Sequence, residues 1–432
     1  MRKLLIENIG PIKSVNLELK RINLIIGPQS AGKSCILKIA CFCAWAEKRI
    51  QLEQGENGFA EFEYLEENLI GFHKLQGYFE KGKGAKFRYE TEHLWIEYEY
   101  DKEINAFKYG WNENGHWKYK RTKISYIPAE RNVVATVPNL IEVSMKHNNI
   151  RNFISDWMLT RNFYNKENKL DILDLDVKYY FDEKSGQDFI ELKDGKILQF
   201  TNGSSGIQSA IPMLVYLGFL FENQYKPGQY VKIYIDSERE EILNHIYNEK
   251  FQYNITNNEN IISPYIGKIG VGKRMFESET KYNECKELFE AYTKTWNSDI
   301  YLEEPEQNLF PKTQIKLLYD IIKKSNERND NIFIATHSPY ILYALNNAML
   351  AYNVKDNLIE EIRKDISCLD AACNPNDISV WQIENGNIVG VDNINNKTIQ
   401  DKNGLIRKNY FDNIMGNIMD DFNNMLNFYE FE

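Results

Sequence analysis

Eight consecutive residues, Gly27-Pro28-Gln29-Ser30-Ala31-Gly32-Lys33-Ser34, match the spacing G-x-x-x-x-G-K-[ST]. The glycines let backbone N–H groups turn inward on a triphosphate, Lys33 neutralises the outer phosphates, and the Ser34 hydroxyl can ligate Mg²⁺. A second run, Asp299-Ile300-Tyr301-Leu302-Glu303-Glu304-Pro305-Glu306, ends an apolar stretch in carboxylates. There Glu303 suits the metal-side role and Glu304 the general base that polarises an attacking water. Taken alone, the doublet also reads as a solvated acidic turn. Third, Ile332-Phe333-Ile334-Ala335-Thr336 delivers His337 to a strand tip, where an imidazole can hydrogen-bond a γ-phosphate or the water. Fourth, Ser204-Ser205-Gly206-Ile207-Gln208 opens a strongly apolar helix. Small residues with free N–H groups at a helix start make an anion site, although a plain Ser/Gly cap looks the same.

The elements that must position these groups follow from patterning. Lys3 to Ile26 reads as a strand, a turn at Gly10-Pro11, an alternating strand and a buried strand INLII that feeds the glycine loop; an apolar helix then carries Cys35, Cys41 and Cys43. Residues 51–138 are dense in alternating aromatics and read as an antiparallel lobe, with Asn114-Gly115 as a hairpin turn. Residues 139–200 predict a helical subdomain followed by hairpin strands, and 201–225 the Ser-Gly segment with its helix. Residues 226–297 are polar and read as an insertion with one or two helices. Strand, helix, strand, helix over 298–400 predicts parallel strands with crossover helices, the second helix starting near Ser338-Pro339. Residues 401–432 end in an amphipathic helix that either packs on its own domain or seats another subunit.

Composition bounds the rest. The 432 residues hold 52 Lys+Arg against 62 Asp+Glu, a net charge of −10, with 43% hydrophobic and 13% aromatic residues. This is a folded, globular composition, not a disordered one. The start MRKLLIENIG lacks an apolar secretory core, six cysteines are scattered, and the longest nearly apolar run, Ala210 to Phe221, falls short of the ~20 residues of a membrane span. These features place the chain in the cytoplasm, away from membranes. The acidic balance argues against a surface coated by nucleic acid. Two short basic stretches, Lys81 to Lys86 and Trp117 to Lys123, read as exposed strand edges kept soluble by Lys, the second with aromatics that could stack on bases.

In their order, the four motifs resemble the ABC-type ATPase head of DNA-repair, chromosome-maintenance and OLD-family proteins. By that resemblance, Gly27 to Ser34 is similar to Walker A, Ser204 to Gln208 to the signature sequence, Ile300 to Glu304 to Walker B plus the catalytic Glu, and His337 to the switch histidine. Glu306-Gln307-Asn308-Leu309-Phe310-Pro311 is similar to the D-loop, and the stretch Ile124 to Arg131 occupies the place of the Q-loop strand. Two departures stand out: Glu303 where Asp is usual, and Ile207 where a second Gly is common. Arg131 reads as a surface ion pair in preference to a residue that reaches nucleotide or a partner.

The resemblance implies an α/β fold, a P-loop NTPase ABC-type head with an antiparallel β lobe and helical insertions. It implies ATP and Mg²⁺ held by Gly27, Gln29, Ser30, Ala31, Gly32, Lys33, Ser34 and Glu303, with Ser205, Gly206 and Gln208 supplied by a second copy. Glu304, His337 and Lys33 are then the catalytic groups. One complete set per chain implies a homodimer or higher homo-oligomer. The chain lacks the sustained heptads of a chromosome-maintenance rod, and its end lacks the Glu…Asp-x-Asp pattern of an OLD-type nuclease. It thus resembles the ATPase subunits of bacterial anti-phage systems, of the PARIS type first and the Septu type second. These imply a separately encoded nuclease effector and a phage-derived trigger. The rival readings are an ATPase that clamps duplex DNA and, more remotely, a transporter ATPase subunit.

Overall fold

The computed structural model describes residues 2–55, 59, 62–100, 105–113, 115–137, 144–226, 232–252, 265–270, 272–393, 396–426 and 428. Strands β1 (Arg2–Ile9) and β2 (Ile12–Leu19) alternate buried and exposed positions, whereas β3 (Ile22–Ile26) is buried throughout, as a strand covered on both faces must be. Fully burying each such Ile or Leu contributes roughly 1.5–3 kcal/mol. β3 runs into the Gly27 loop and helix α1 (Lys33–Glu53).

The aromatic region supplies β4 (Ala85–Glu90), β5 (Leu94–Tyr100) and β6 (Asn105–Trp111), an antiparallel set laid edge-on against β1. The last strand of that region, β7 (Thr122–Ile127), behaves differently: it pairs in parallel with β14 (Asn297–Glu303) at the far edge of the sheet. Gly115 therefore joins no hairpin in the antiparallel set, and Asn114 lies outside the described residues. With β15 (Asn331–Ala335), β16 (Ile378–Glu384) and β17 (Asn387–Val389), the sheet has eleven strands in the order β6-β5-β4-β1-β2-β17-β16-β3-β15-β14-β7. The five strands β16-β3-β15-β14-β7 are mutually parallel, and their carboxyl ends gather the motif residues.

Helices cover both faces. α1 and the antiparallel strands share one core with Ile25, while α2 (Asn149–Thr160), α3 (Ser205–Phe221), α6 (Pro311–Asn326) and α7 (Pro339–Val354) pack with Leu24 and Ile26 on the other. Between α2 and α3, strands β8 (Leu170–Asp171), β9 (Val177–Asp182), β10 (Gln187–Leu192) and β11 (Ile197–Gln199) form a separate antiparallel sheet. The insertion holds α4 (Lys232–Ile246), the paired strands β12 (Tyr265–Ile269) and β13 (Gly272–Phe276), and α5 (Glu279–Thr293), with a small core of its own around Leu243, Phe276 and Tyr292. The stretch Ser205–Tyr225 is long and apolar enough to cross a bilayer by composition; 61% of it is buried inside the fold.

Two surface expectations change. Trp117 to Lys123 is exposed only in part: Lys118 and Lys120 face solvent, but Tyr119 is buried in the insertion core, Trp117 packs 5.7 Å from Tyr292, Lys120 lies over Trp296, and Arg121 pairs with Glu238 at 3.0 Å. Trp117 has φ +64°, which breaks the strand that its alternation suggests. The terminal helix α8 (Tyr410–Leu426) buries none of its residues, so it does not pack as a core helix; Ile418 and Phe422 are each more than half exposed.

Candidate functional site

Local sequence explains the loop at the head of α1. Gly32 is the residue before the helix and sits at φ +101°, a left-handed conformation costly for any residue with a Cβ, which here would also meet Ile12. No side chain caps α1, so the amides of its first turn are open to an anion, and the exposed Gln29 and Ser30 rim the loop. Lys33 is buried, its ammonium donating to the Gly27 and Pro28 carbonyls at 2.8 Å each. Burial pushes Lys33 down to about 8, against the opposing pull of Glu304 and Glu306. A buried cation closed on its own loop carbonyls, beside uncapped amides, is a donor set that fits a triphosphate.

The ends of β14 and β15 bring the other groups to Lys33. His337 Nδ1 is 3.3 Å from the Lys33 ammonium, and His337 Nε2 is 3.4 Å from a Glu304 carboxylate oxygen. An ammonium only donates, so Nδ1 accepts and the neutral ring carries its proton on Nε2, facing Glu304. Burial and the nearby Lys33 lower the His337 pKa, with Glu304 opposing. Ser338 caps α7, its hydroxyl accepting from the Tyr340 and Ile341 amides, which anchors the residue after His337.

Glu303 is buried and points to the α1 side: one oxygen lies 3.9 Å from Lys38 and the other accepts from the Ala129 amide at 3.4 Å. Among the described residues, no group of three or more His, Cys, Asp and Glu side chains could hold a metal unaided. A magnesium ion at Ser34 and Glu303 would thus complete its shell with water and substrate phosphates, as Mg²⁺ commonly does.

Two residues gain roles that the sequence did not disclose. Glu306, assigned only to a D-loop, accepts from the Thr336 hydroxyl at 2.7 Å and the His337 amide at 2.8 Å, fixing the strand tip that presents His337. Its second oxygen is buried without a partner, and burial raises its pKa. Its place three positions after Glu303, in Glu-Glu-Pro-Glu, is the only sequence signal. Arg131 is not on the surface, and among the described residues it forms no side-chain ion pair. It is fully buried, and its guanidinium donates to the carbonyls of Glu303 at 2.9 Å and Glu304 at 2.7 Å. Burial brings its pKa down to about 10, with Glu306, Glu304 and Glu303 opposing.

The Ser-Gly segment stands apart from this cluster. Ser204 and Ser205 are exposed, no side chain caps α3, and Gln208 donates to the Thr201 carbonyl at 2.7 Å. Gly206 abuts the loop after β14: a Cβ there would come within 2.7 Å of the Asn308 carbonyl oxygen. Among the described residues, Ser205, Gly206 and Gln208 make no hydrogen bond to the Gly27 loop of the same chain, and their open helix end faces outward.

The arrangement, a glycine loop between a buried strand and helix with carboxylates and histidine on neighbouring parallel strands, makes this an α/β fold of P-loop NTPase type. No family profile and no curated protein matches the sequence. Among solved structures, the SMC head domain from Thermotoga maritima aligns with TM-score 0.34 and 10% identity over 79% of this chain and 90% of that one. The recombination mediator protein RecF aligns with TM-score 0.29 and 12% identity, and a dimeric ABC transporter cassette with 0.29 and 10%; each covers 89% of this chain and 96% of its own.

Proposed function

We propose that the chain is an ABC-type, OLD-like ATPase. It binds ATP and Mg²⁺ on Gly27 to Ser34 and Glu303, hydrolyses ATP with Glu304 as base, and oligomerises by clasping nucleotide between copies. The observation that carries this reading is the convergence of Lys33, His337 and Glu304 within 3.4 Å contacts at the mouth of an uncapped helix. Magnesium, when bound, neutralises charge on the β- and γ-phosphates. Lys33 leaves its loop carbonyls for the phosphates, Glu304 takes a proton from water, and the Nε2–H of His337, released as the Glu304 carboxylate is neutralised, donates to developing charge.

The outward-facing, uncapped start of α3 supports the second part. Its amides suit an anion held by another copy, so ATP acts as a reversible glue for a homodimer or a higher homo-oligomer. The output we propose is control of a separately encoded nuclease in bacterial anti-phage defence, released by a phage-derived trigger. This rests on the motif resemblance, and the acidic surface and exposed α8 suit a protein partner. The buried aromatics and paired charges of Trp117 to Lys123 weaken the duplex-clamping alternative. The test is phosphate release and solution mass with and without ATP. ATP turnover together with an ATP-dependent rise in mass supports the reading, and a monomer without turnover refutes it.

A further inference from the structure

Arg131 lies in the short turn Ala129–Asn132 that follows β7. A guanidinium has five N–H donors in a rigid fork, and here five carbonyl oxygens surround it. Nε donates to Ser209 at 3.1 Å. Nη1 donates to Pro128 at 3.3 Å and Glu303 at 2.9 Å, and Nη2 to Glu304 at 2.7 Å and Pro305 at 3.3 Å. The side chain is therefore a clamp on backbone.

Three of those carbonyls belong to the consecutive residues around Glu304, whose φ is +43°. A residue with a Cβ keeps that left-handed conformation only where its surroundings impose it. The fifth carbonyl, of Ser209, is in the first turns of α3, beside Pro212. Pro212 has no N–H and leaves the Gln208 carbonyl, four residues earlier, without its helical donor, so the α3 ladder is interrupted one residue from the point where Arg131 attaches. Gly206 touches the same loop at Asn308. The helix whose open end faces outward is thus tied through Arg131 to the loop that aims Glu304, and lies against that loop at Gly206.

We propose that Arg131 is a positioning residue that sets Glu304 and relays to it the position of α3, so that nucleotide engaged on one copy is sensed at the Glu304 of the other. The inference rests on the ATP-sandwich reading and adds to it a reason for the two sites to act together. A displacement of α3 must either break the Nε bond to Ser209 or move the guanidinium, and four further bonds pass that movement to residues 303–305 and 128. Lysine, with three donors on one nitrogen, cannot span these carbonyls.

The test compares wild type with Arg131→Lys for ATP turnover as a function of ATP concentration, solution mass with a non-hydrolysable analogue, and thermal unfolding. The relay predicts a Hill coefficient above 1 for wild type, and a value of 1 in a wild type that dimerises on ATP overturns it. The variant, still dimerising on analogue, loses about 10- to 100-fold in kcat with KM within about threefold, and its Hill coefficient falls to 1. A folded variant with kcat and Hill coefficient within about twofold of wild type overturns the relay. Should Arg131→Lys fail to fold, amide exchange on a mixed dimer decides: an isotope-labelled Lys33→Ala copy binds no nucleotide itself but lends its α3 to a wild-type copy. Protection of its residues 303–309 on adding analogue supports the relay, and unchanged exchange there overturns it. A wild-type chain that neither hydrolyses ATP nor dimerises on it fails the sandwich reading instead.

Discussion

His337 Nε2 stands 3.4 Å from a carboxylate oxygen of Glu304, and the other ring nitrogen is 3.3 Å from Lys33. The imidazole is a spacer that keeps a base and a buried ammonium from collapsing into a direct ion pair. With no such pair to break, Lys33 can turn to phosphate and Glu304 to water. If Glu304 is the base, Glu304→Gln lowers turnover by about 10²- to 10⁴-fold while nucleotide-bound oligomer accumulates. Phosphate release and solution mass check this, and unchanged turnover refutes the role.

The lowered pKa of Lys33 couples nucleotide affinity to pH. Triphosphate requires the charged ammonium, which predominates below about 8 in the free site and is depleted above it. Binding then takes up a proton, and affinity weakens as pH rises: the apparent Kd for ATP increases about tenfold from pH 7 to 9. Calorimetry in buffers of different ionisation enthalpy reads the proton directly. A flat profile with no uptake contradicts the assignment.

Glu306 gives a stability test that runs in the same direction with pH. Its carboxyl is raised in the folded chain, so the native state favours the protonated form. Stability from this group is greatest below the ordinary value and is lost as pH rises through the folded value. Glu306→Gln removes that loss, so its melting temperature relative to wild type is higher at pH 7 than at pH 4. A difference that stays constant, or runs the other way, disproves the ionisation account.

Much of the site was legible because its rules are local. The glycine loop, the Ser338 cap and the strand that ends at Glu303 each follow from a few adjacent residues and came out where the motifs put them. What escaped depends on contacts remote in sequence. Ile-Pro-Ala-Glu-Arg gives no sign that its arginine is buried against residues 209 and 303–305, because no property of the pentapeptide encodes the neighbour. The role of Glu306 requires knowing that the end of β15 lies above it. β7 looks like its antiparallel neighbours in composition, and only topology sends it to the β14 edge. Trp117 to Lys123 alternates like a strand, yet its aromatics are covered by an insertion that starts a hundred residues later.

Helix α8 carries a different expectation. With no residue buried, it draws little on tertiary packing, and an isolated helix of this length is marginal in water. Its amides should therefore exchange orders of magnitude faster than those of α3, and Ile418→Asn should change stability by no more than about 0.5 kcal/mol. Amide exchange by mass spectrometry checks this. Protection equal to that of α3 would show that another surface covers the helix.

All six cysteines are buried and unbridged, and burial lifts their thiols, Cys35 and Cys373 to about 12 and Cys285 to about 11. The folded molecule is therefore chemically quiet toward thiol reagents at neutral pH. The six lie in α1, in α5 and in the segment between α7 and β16, so each modified thiol records the opening of one identifiable part of the chain. A timed labelling experiment on the unmodified protein thus maps which part loosens first when nucleotide is added or withdrawn.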